Sequence, residues 1–413
     1  MAELFNVLTV EEARAAIARY LPDKWPSVKV PILQSLGRRL ALEVRAVDDV
    51  PGFDRSTMDG FAVRAKDSYG ATEGMPSYVD ISGEVMIGRR PEGEIRAGQA
   101  YHIPTGGMLP PGADAVVMVE YTEELDSSTI GIIKPVAPGE NVVRRGDDIA
   151  AGEIALPAGH LIRPQDLGML SSIGVTEVEV AISVKVGIVS TGDELVDPGD
   201  VPSSGQVRDI NSHALYGAVT ACGGEPHLYG IIVDNYGKLK DALEIALEEN
   251  HMVLLSGGSS VGTRDVASKV IDSAGKPGVL FHGIAVSPGK PTVGAILGGK
   301  PVFGLPGHPA SAMVIFDLMV APLVRTGGYP ANEEESAMEF PLRVVMTRNI
   351  RSAAGREDFI RVKLFHRDGQ FFAEPVLGKS GLISTMVRAD GLARIPAGKE
   401  GVEAGETVEV KLF

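Results

Sequence analysis

The segment Lys185–Leu195 reads KVGIVSTGDEL and joins the pattern of a buried strand to a group of polar side chains. Its first half is an apolar run of the kind found in strands that are covered on both faces. Its second half places Ser190, Thr191, Asp193 and Glu194 where that strand ends. In an open parallel sheet, ligands bind beyond the carboxyl ends of the strands. The segment therefore predicts both a fold and the sheet edge at which a site lies.

Apolar runs and amphipathic helical patterns alternate around this segment, between about Ala181 and Arg325. The predicted order is three strand and helix pairs, then three strands, then a helix that begins near Pro309. Strands that alternate with amphipathic helices form mainly parallel sheets with helices on both faces. We therefore predict a multidomain α/β protein with a central, mainly parallel α/β sandwich.

The rest of the chain predicts further domains, because its 413 residues exceed the ~250 to 300 residues that one hydrophobic core supports. Thr9 followed by Glu12 predicts a capping box at the start of an N-terminal helix. Short β-type runs separated by Gly and Pro dominate the region after Val50 and the C-terminal region. The expected division is residues 1–50 plus 146–180 as a discontinuous N-terminal mixed domain, 51–145 as a β-rich domain, 181–330 as the α/β domain and 331–413 as a C-terminal β-barrel-like domain.

Composition and charge exclude several classes of function. The net charge of −15 disfavours nonspecific binding to nucleic acid or anionic lipid, because those partners need a basic field. No apolar run reaches the ~18 residues of a membrane span, and the N-terminal stretch lacks a signal-peptide pattern, so we expect a cytoplasmic protein. The single cysteine, Cys222, excludes an intrachain disulfide and a Cys-rich metal cluster. Its setting favours packing at a helix end over a role as nucleophile.

Three loops after predicted strands have the composition of anion-binding turns. SGGSSVG, residues 256–262, has glycines that let backbone amides turn inward and serine hydroxyls that add donors. It is neither a Walker loop nor a dinucleotide fingerprint, so it predicts neither a triphosphate nor NAD. SPGKP holds Lys290 in a turn stiffened by two prolines, and LPGHPAS places Ser311 at a helix start. A tight connection, a solvated lysine and helix capping explain the same patterns, and His308 is expected to be a hydrogen-bonded turn residue.

Four carboxylates lie at or just after predicted strand ends: Asp193, Glu194, Asp234 and Asp265. Carboxylates brought together repel one another, so such a cluster holds a hard cation such as Mg²⁺ or faces a positive group. Each one alone is also explained as a helix N-cap. Four on one predicted rim favour a site.

Three loops of the β-rich region also concentrate polar side chains. VPGFDRSTMDGFAVR includes Asp59, IPTGGMLPPGADAVV includes Thr105, and VRRGDDI includes Asp148. As purely structural elements they are an Asx-turn hairpin and two solvated loops.

Taken together and in this order, these segments resemble the molybdopterin molybdenumtransferase family, the MoeA-type proteins that include the catalytic E domain of gephyrin. The matching stretches are FDRSTMDGFAVR, IPTGGMLPPGADAVVMVE, VRRGDDIAAG, VGIVSTGDEL, LLSGGSSVGTRD, SPGKPT and GLPGHPASA, between residues 53 and 312. No single motif is decisive, but the ordered set is highly specific. The resemblance implies a molybdopterin-binding-like central domain. It also implies an Mg²⁺-dependent enzyme that uses molybdate and adenylylated molybdopterin, releases AMP and forms molybdenum cofactor.

Residue by residue, the resemblance implies a catalytic set and a substrate-binding set. The implied catalytic residues are Asp59, Thr105, Asp148, Glu194, Asp234, Asp265 and Lys290. Asp234 and Asp265 are expected to contact Mg²⁺ or the nucleotide side of the substrate, and Lys290 to neutralise charge on phosphate or molybdate. Asp59, Asp148 and Glu194 are expected to orient water or the pterin end of the substrate. The implied substrate-binding residues are Ser190, Thr191, Gly192, Asp193, Ser256, Gly257, Gly258, Ser259, Gly262, Pro288, Gly289, Pro306, Gly307, Pro309, Ser311, Arg356 and Ser380. Of these, Ser311 and Arg356 are expected to hold molybdate together with Lys290, and Ser380 is a further match.

The resemblance also implies an elongated homodimer, in which the β-rich domain of one subunit faces the α/β domain of the other. Asp59 and Glu194 would then meet across subunits. The other implied partners are small-molecule substrates, the molybdopterin adenylyltransferase and molybdoenzyme acceptors. From the charge and the hydropathy we expect no nucleic acid and no membrane as partners. Two departures from the family pattern affect anion binding: Ser287 replaces the first Lys of KPGKP, and His308 replaces the Asn of PGNP.

Two other functions fit parts of the pattern. A molybdopterin adenylyltransferase shares the GD and SGG loops, but it is normally a single compact domain, and the additional β domains argue against it. A non-catalytic molybdopterin-binding scaffold would keep the pocket, yet every member of the acidic set is present. The sequence leaves molybdate and tungstate both open, because the two oxyanions have nearly the same size and charge.

Overall fold

The computed structural model of the protein describes residues 7–21, 26–257, 266–327 and 339–413. The chain divides into two compact units. Residues 29–180 form what we call the β unit, and residues 1–28 with 181–413 form the α/β unit. Within the described ranges, no helix is both long and apolar enough to cross a membrane.

A curled six-stranded sheet forms the centre of the β unit. In spatial order its strands are Ala115–Met118, Gly60–Val63, Gln99–Ile103, Ser77–Glu84, Thr129–Ile132 and Thr122–Glu124. Side chains alternate between its two faces, so Phe61 and Val117 pack in one core while Ala62 and Val116 pack in another. The remaining strands pair in twos: Ser27–Pro31 with Glu177–Ala181, Val44–Arg45 with Ile154–Leu156, and Arg55–Ser56 with Val142–Val143. The helical elements are Ile32–Gln34, Ala65–Ser68, Val119–Tyr121 and Pro164–Ser172.

A six-stranded sheet also forms the centre of the α/β unit. In spatial order its strands are Glu225–Ile232, Lys185–Thr191, Met252–Ser256, Lys300–Leu305, Val293–Leu297 and Pro277–His282. The first four are parallel, and the last two are antiparallel to their neighbours. The mainly parallel α/β sandwich that the sequence predicts is therefore confirmed.

Helices cover both faces of this sheet. The helices Asn211–Ala221 and Pro309–Ile315 pack on one face, and Tyr236–Glu249 and Val266–Ser273 pack on the other. The π-helical turn Phe316–Val320 and the helix Ala321–Arg325 continue the chain after Pro309–Ile315, and the short strands Leu195–Val196 and Val207–Arg208 pair beside the sheet. Within strand Lys185–Thr191, Ile188 faces the first core and Val189 the second, which is why the strand reads as a continuous apolar run.

The N-terminal helix Val10–Ala18 belongs to the α/β unit. Val10, Ala13 and Ile17 form an apolar stripe and are buried in the core that also holds Val186 of the central strand. This differs from the expected grouping of the first 50 residues with the 146–180 region, because the stripe is covered by the α/β core instead.

The start of this helix matches its sequence signal. The Glu12 N–H donates to Thr9 Oγ1 at 3.1 Å, and the Thr9 N–H donates to Glu12 Oε2 at 2.9 Å. The predicted capping box is therefore confirmed.

The C-terminal region forms a closed five-stranded barrel, as the β-barrel-like prediction requires. Its strands, in order around the barrel, are Glu357–Arg367, Gln370–Pro375, Leu342–Met346, Thr407–Leu412 and Gly391–Ile395, and the last pairs with the first. The barrel region also contains the strands Ile350–Arg351 and Gly401–Val402 and the helix Ser384–Val387. Strand Val286–Ser287 of the α/β region pairs in parallel with the barrel at Glu357 and Asp358. This pairing holds the barrel against the α/β sheet.

Candidate active site

A cavity of about 620 Å³ opens at the carboxyl edge of the α/β sheet. Its wall comes from the ends of parallel strands and the loops that follow them, from Pro291 in the turn before Val293–Leu297, and from one residue of the barrel region. Among the described residues the wall comprises Thr191, Glu194, Leu195, Val207, Arg208, Asp209, Ile210, Asn211, Ser256, Gly257, Pro291, Pro306, Gly307, His308, Pro309 and Gly381. The cavity therefore lies where the sequence predicts a ligand site.

The two carboxylates Asp193 and Asp234 meet at this edge. Strands Lys185–Thr191 and Glu225–Ile232 are parallel neighbours, so the loops that follow them begin side by side. Thr191 Oγ1 donates to Asp234 Oδ1 at 2.7 Å, and the Asp234 N–H donates to Asp193 Oδ1 at 3.1 Å. Both aspartates are exposed, so their remaining oxygen lone pairs face solvent.

Gly257 lets two strand ends approach closely. It has φ +106°, and a Cβ built on it would lie 2.0 Å from the Thr191 carbonyl oxygen. A side chain does not fit there, so glycine is required for the backbone to turn away from Thr191. Glu194, which is exposed, is also one of the residues of the cavity wall.

The segment Val207–Asn211 forms one wall of the cavity and was absent from the sequence-based set. Asn211 is 7% exposed, and its Nδ2 donates to Ser256 Oγ at 2.8 Å and to the Gly307 carbonyl oxygen at 2.9 Å. Asp209 is buried and accepts a hydrogen bond from the Ser212 N–H at 3.1 Å, at the start of the following helix. Its position in the sequence could have identified it. The segment belongs to the connection between the strand Lys185–Thr191 and the next helix, and such a connection begins at the carboxyl edge of the sheet.

The barrel region reaches the cavity through the loop that carries Ser380 and Gly381. His308 Nδ1 and Ser380 Oγ are 3.0 Å apart, so His308 is hydrogen-bonded as predicted. The Ala310 N–H, in the first turn of its helix, donates to the Ser380 carbonyl oxygen at 3.0 Å. Buried Arg361 supports this loop from the barrel side, because its Nη2 donates to the Gly378 carbonyl oxygen at 2.7 Å.

Several predicted residues of the α/β unit do not form part of the cavity wall. Lys290 is exposed and precedes the wall residue Pro291, in a turn braced by the 2.7 Å hydrogen bond from Thr292 Oγ1 to the Gly289 carbonyl oxygen. Ser311 is buried in the first turn of the helix Pro309–Ile315. The predicted and described residues of the α/β unit that are not part of the wall are Ser190, Gly192, Asp193, Asp234, Pro288, Gly289, Lys290, Ser311, Arg356 and Ser380.

The structure also gives the surroundings of Arg356 and Cys222 in the α/β unit. Arg356 Nε lies 3.0 Å from Asp358 Oδ1, so part of its charge is paired within the barrel. Burial raises the pKa of the Cys222 thiol, which agrees with a packing role and not with a nucleophile. Gly258, Ser259, Gly262 and Asp265 were also predicted site residues, and they lie outside the described residues.

Within the β unit, the three polar loops singled out in the sequence come together. The Gly106 N–H donates to the Ser56 carbonyl oxygen, and the Thr57 N–H donates to the Asn141 carbonyl oxygen. The Thr105 N–H donates to Asp59 Oδ1 at 2.7 Å, and this bond holds the pKa of Asp59 below its usual value. Asp59 is therefore an exposed, ionised carboxylate beside Thr105.

Asp148 lies in the third of these loops and is also exposed. Its N–H donates to the Val50 carbonyl oxygen, while the Arg145 N–H donates to Asp54 Oδ1 at 2.8 Å. These bonds tie the Arg145–Asp148 stretch to the Asp54–Asp59 loop. The roles assigned to Asp59, Thr105 and Asp148 stay predictions.

The donor chemistry at the sheet edge fits Mg²⁺. Asp193 and Asp234 both provide hard carboxylate oxygens, and the Asp193 carboxylate accepts a hydrogen bond from the Asp234 backbone N–H. Mg²⁺ is commonly held by one or two carboxylates together with water and substrate phosphates, so a complete cage of protein ligands is not required. No set of three His, Cys, Asp or Glu side chains suited to a metal ion occurs within residues 7–21, 26–257, 266–327 and 339–413.

Comparison with known protein families assigns most of the chain. Residues 8–174 match the MoeA N-terminal region (domain I and II), and residues 187–326 match a probable molybdopterin binding domain. Residues 343–413 match the MoeA C-terminal region (domain IV).

Relatives match along the whole length. A putative molybdopterin biosynthesis protein of Methanocaldococcus jannaschii is 35% identical over 96% of this chain and 95% of its own. The molybdopterin molybdenumtransferase of Bacillus subtilis is 33% identical over 100% of this chain and 96% of its own. The crystal structure of the molybdopterin biosynthesis MoeA protein from Pyrococcus horikoshii OT3 is 31% identical with a TM-score of 0.82, over 99% of this chain and 100% of that one. The resemblance found in the motifs is therefore confirmed, and the chain belongs to the MoeA family of molybdenum cofactor biosynthesis enzymes.

Proposed function

We propose that this protein is a molybdopterin molybdenumtransferase. It inserts molybdate into adenylylated molybdopterin in an Mg²⁺-dependent reaction, releases AMP and forms molybdenum cofactor. The observation that carries the proposal is the cavity of about 620 Å³, whose wall contains Thr191, Glu194 and Ser256 from the family motifs. The full-length match to the Bacillus subtilis molybdopterin molybdenumtransferase supports it.

The first step is hydrolysis of the phosphoanhydride. A water oxygen forms a bond to phosphorus, the bridging P–O bond breaks, and molybdopterin and AMP separate, each with one phosphate. The proton of the water passes to a carboxylate, and exposed Glu194 in the cavity wall is suited to accept it. Lys290 would neutralise charge that develops on the phosphate oxygens.

Asp234 and Asp193 would hold Mg²⁺, with Asp265 as a further proposed ligand. When bound, Mg²⁺ supplies neutralisation of the phosphate charge. Thr191 orients Asp234 through their 2.7 Å hydrogen bond, which engages one of the two carboxylate oxygens.

The second step transfers molybdenum. Two Mo–S bonds form to the dithiolene sulfurs, one Mo–O bond breaks, and that oxygen leaves as water with the two thiol protons. The sulfurs belong to the substrate, so a chain whose one cysteine is a half-buried helix-end residue suffices. We assign molybdate binding to Lys290, Ser311, Arg356 and Ser380.

We also propose that the active species is a homodimer in which Asp59 of one subunit serves the cavity of the other. The basis is the resemblance to MoeA-type proteins. In this chain Asp59 lies in the β unit and Glu194 lies in the α/β unit. The proposed protein partners are the adenylyltransferase that supplies the substrate and the molybdoenzymes that accept the product.

The test is to mix the purified protein with adenylylated molybdopterin, Mg²⁺ and molybdate, and to follow AMP release and metal incorporation. We expect Asp59→Asn and Asp234→Asn each to lower the rate by about 100-fold or more, because each removes a carboxylate at the reacting groups. Asp272→Asn is the matched control, since Asp272 is an exposed aspartate on the helix Val266–Ser273.

The outcomes separate the candidate functions. Full activity of both carboxylate variants would refute the assigned roles. Binding of the substrate without AMP release by the wild-type protein would indicate a scaffold. A parallel reaction with tungstate measures which oxyanion the protein prefers.

A further inference from the structure

Asn211 occupies a position between two loops of the cavity wall. It is the first residue of the helix Asn211–Ala221, which is the first helix after the strand Lys185–Thr191. Both hydrogens of its side-chain amide are used: one goes to Ser256 Oγ at 2.8 Å and the other to the Gly307 carbonyl oxygen at 2.9 Å. Ser256 and Gly307 belong to the SGG and PGHP loops, so one side chain connects the loops after two neighbouring parallel strands.

The orientation of this amide is determined by its partners. The Gly307 carbonyl oxygen only accepts hydrogen bonds, so a rotated amide would place two acceptors against each other. The unrotated amide leaves Asn211 Oδ1 buried and without a partner in the part of the chain that the structure describes. A buried unpaired oxygen destabilises a fold. An apolar side chain of similar size would avoid the cost of the buried oxygen. The reason for an amide at this position is therefore the pair of hydrogen bonds that it donates to Ser256 and Gly307.

The neighbouring polar groups point to the same conclusion. Ser190 is the register partner of Ser256 on the adjacent strand, and its Oγ is also buried with no hydrogen bond to a described residue. Buried polar side chains therefore gather at the carboxyl ends of these two strands, where the interior of a sheet that helices cover is normally apolar. Thr220, in contrast, uses its hydroxyl within the same helix and away from the cavity.

We propose that Asn211 is a positioning residue that sets the spacing between Ser256 and Gly307, and with it the fit of adenylylated molybdopterin to the cavity. The proposal rests on the proposed function for the identity of the ligand, but the spacing itself is a property of the protein alone. Asn211 acts through the two loops and takes no part in the bond-breaking steps.

The kinetic test uses Asn211→Leu, Ser256→Ala and the double variant. Leucine has a similar size and no donor, so the link between the loops is lost. We expect Asn211→Leu to raise KM for adenylylated molybdopterin about 5- to 20-fold, the factor for one or two neutral hydrogen bonds, with a smaller change in kcat. If Asn211 acts through Ser256, the double variant should show less than the product of the two single effects.

The structural test does not depend on turnover. Crystal structures of the wild-type protein and of Asn211→Leu should show the loop at Gly307 displaced from Ser256 in the variant. Asn211→Ser, which keeps one donor, serves as a milder variant if the leucine variant does not fold, and Thr220→Val is the control on the same helix. Unchanged loop spacing in the variant overturns the proposal. If the loop is displaced in the variant but the wild-type protein releases no AMP, the positioning role is retained and the proposed function is refuted instead.

Discussion

Replacing Gly257 by alanine tests whether the close approach of two strand ends shapes the cavity. The ideal Cβ at this position lies 2.0 Å from the Thr191 carbonyl oxygen. A carbon and an oxygen atom need about 3 Å or more, so the strand ends must separate by about 1 Å. The φ of +106° adds a backbone penalty of about 1 kcal/mol or more for a residue with a side chain.

Overpacking of this kind costs about 1 to 3 kcal/mol in addition to the backbone penalty. We therefore expect Gly257→Ala to be destabilised by about 2 to 4 kcal/mol in total, and AMP release to fall by about 100-fold, because a displacement of 1 Å at a reacting geometry has that effect. Calorimetric unfolding and the AMP-release assay measure the two quantities.

Gly223→Ala is the matched control. Gly223 also has positive φ, +82°, but no atom lies within 4 Å of the Cβ that alanine would add. It should therefore show the backbone penalty alone, with the rate nearly unchanged. If Gly257→Ala unfolds and reacts like Gly223→Ala, the argument from close approach is refuted.

Three further predictions concern the dimer, the oxyanion and pH. Equal mixing of inactive Asp59→Asn and Glu194→Gln subunits should restore about a quarter of the wild-type AMP release, because half of the dimers are mixed and each of those has one intact site. Ser287→Lys should lower the Kd for molybdate about 2- to 5-fold in a calorimetric titration, since it adds one cation at a half-buried position of this turn. The hydrogen bonds from Arg163 hold the pKa of buried Asp166 below its usual value of 3.8, so its stabilisation is complete above about pH 4 and is lost as pH falls further. Asp166→Asn should therefore lower the free energy of unfolding by about 2 kcal/mol at pH 7, and by progressively less in acid.

Each of these has a contradicting result. No recovery of activity in mixed dimers means that both residues serve the same subunit's cavity. An unchanged Kd in Ser287→Lys means that this turn does not contact the oxyanion. An Asp166→Asn effect that is constant from pH 7 down to pH 2 excludes its carboxylate as the cause.

Local patterns were enough to predict the centre of this fold. The apolar run before Ser190, and the amphipathic helices after it, report which faces are buried, because burial repeats with the period of the secondary structure. A parallel sheet then places Thr191, Asp234 and Ser256 at one edge whatever the details of packing. The structure agrees on all three.

Contacts between distant segments required the tertiary structure. The N-terminal helix, Val10–Ala18, has an apolar stripe that any nonpolar surface would cover, so its pattern does not reveal that the α/β core covers it. The hydrogen bond between His308 and Ser380 joins residues 72 positions apart.

Asn211 shows the same division within a single residue. The helix that it begins, Asn211–Ala221, is one of the amphipathic helices predicted between about Ala181 and Arg325, and that pattern says nothing about the partners of its side chain. That its amide connects Ser256 to Gly307 depends on where two other strands end in space. Hydrophobic periodicity is a local property of the chain, whereas the partner of a buried polar atom is decided by packing between segments far apart in sequence. For that reason the sequence alone located this site, and only the tertiary structure decided which contacts hold its walls in place.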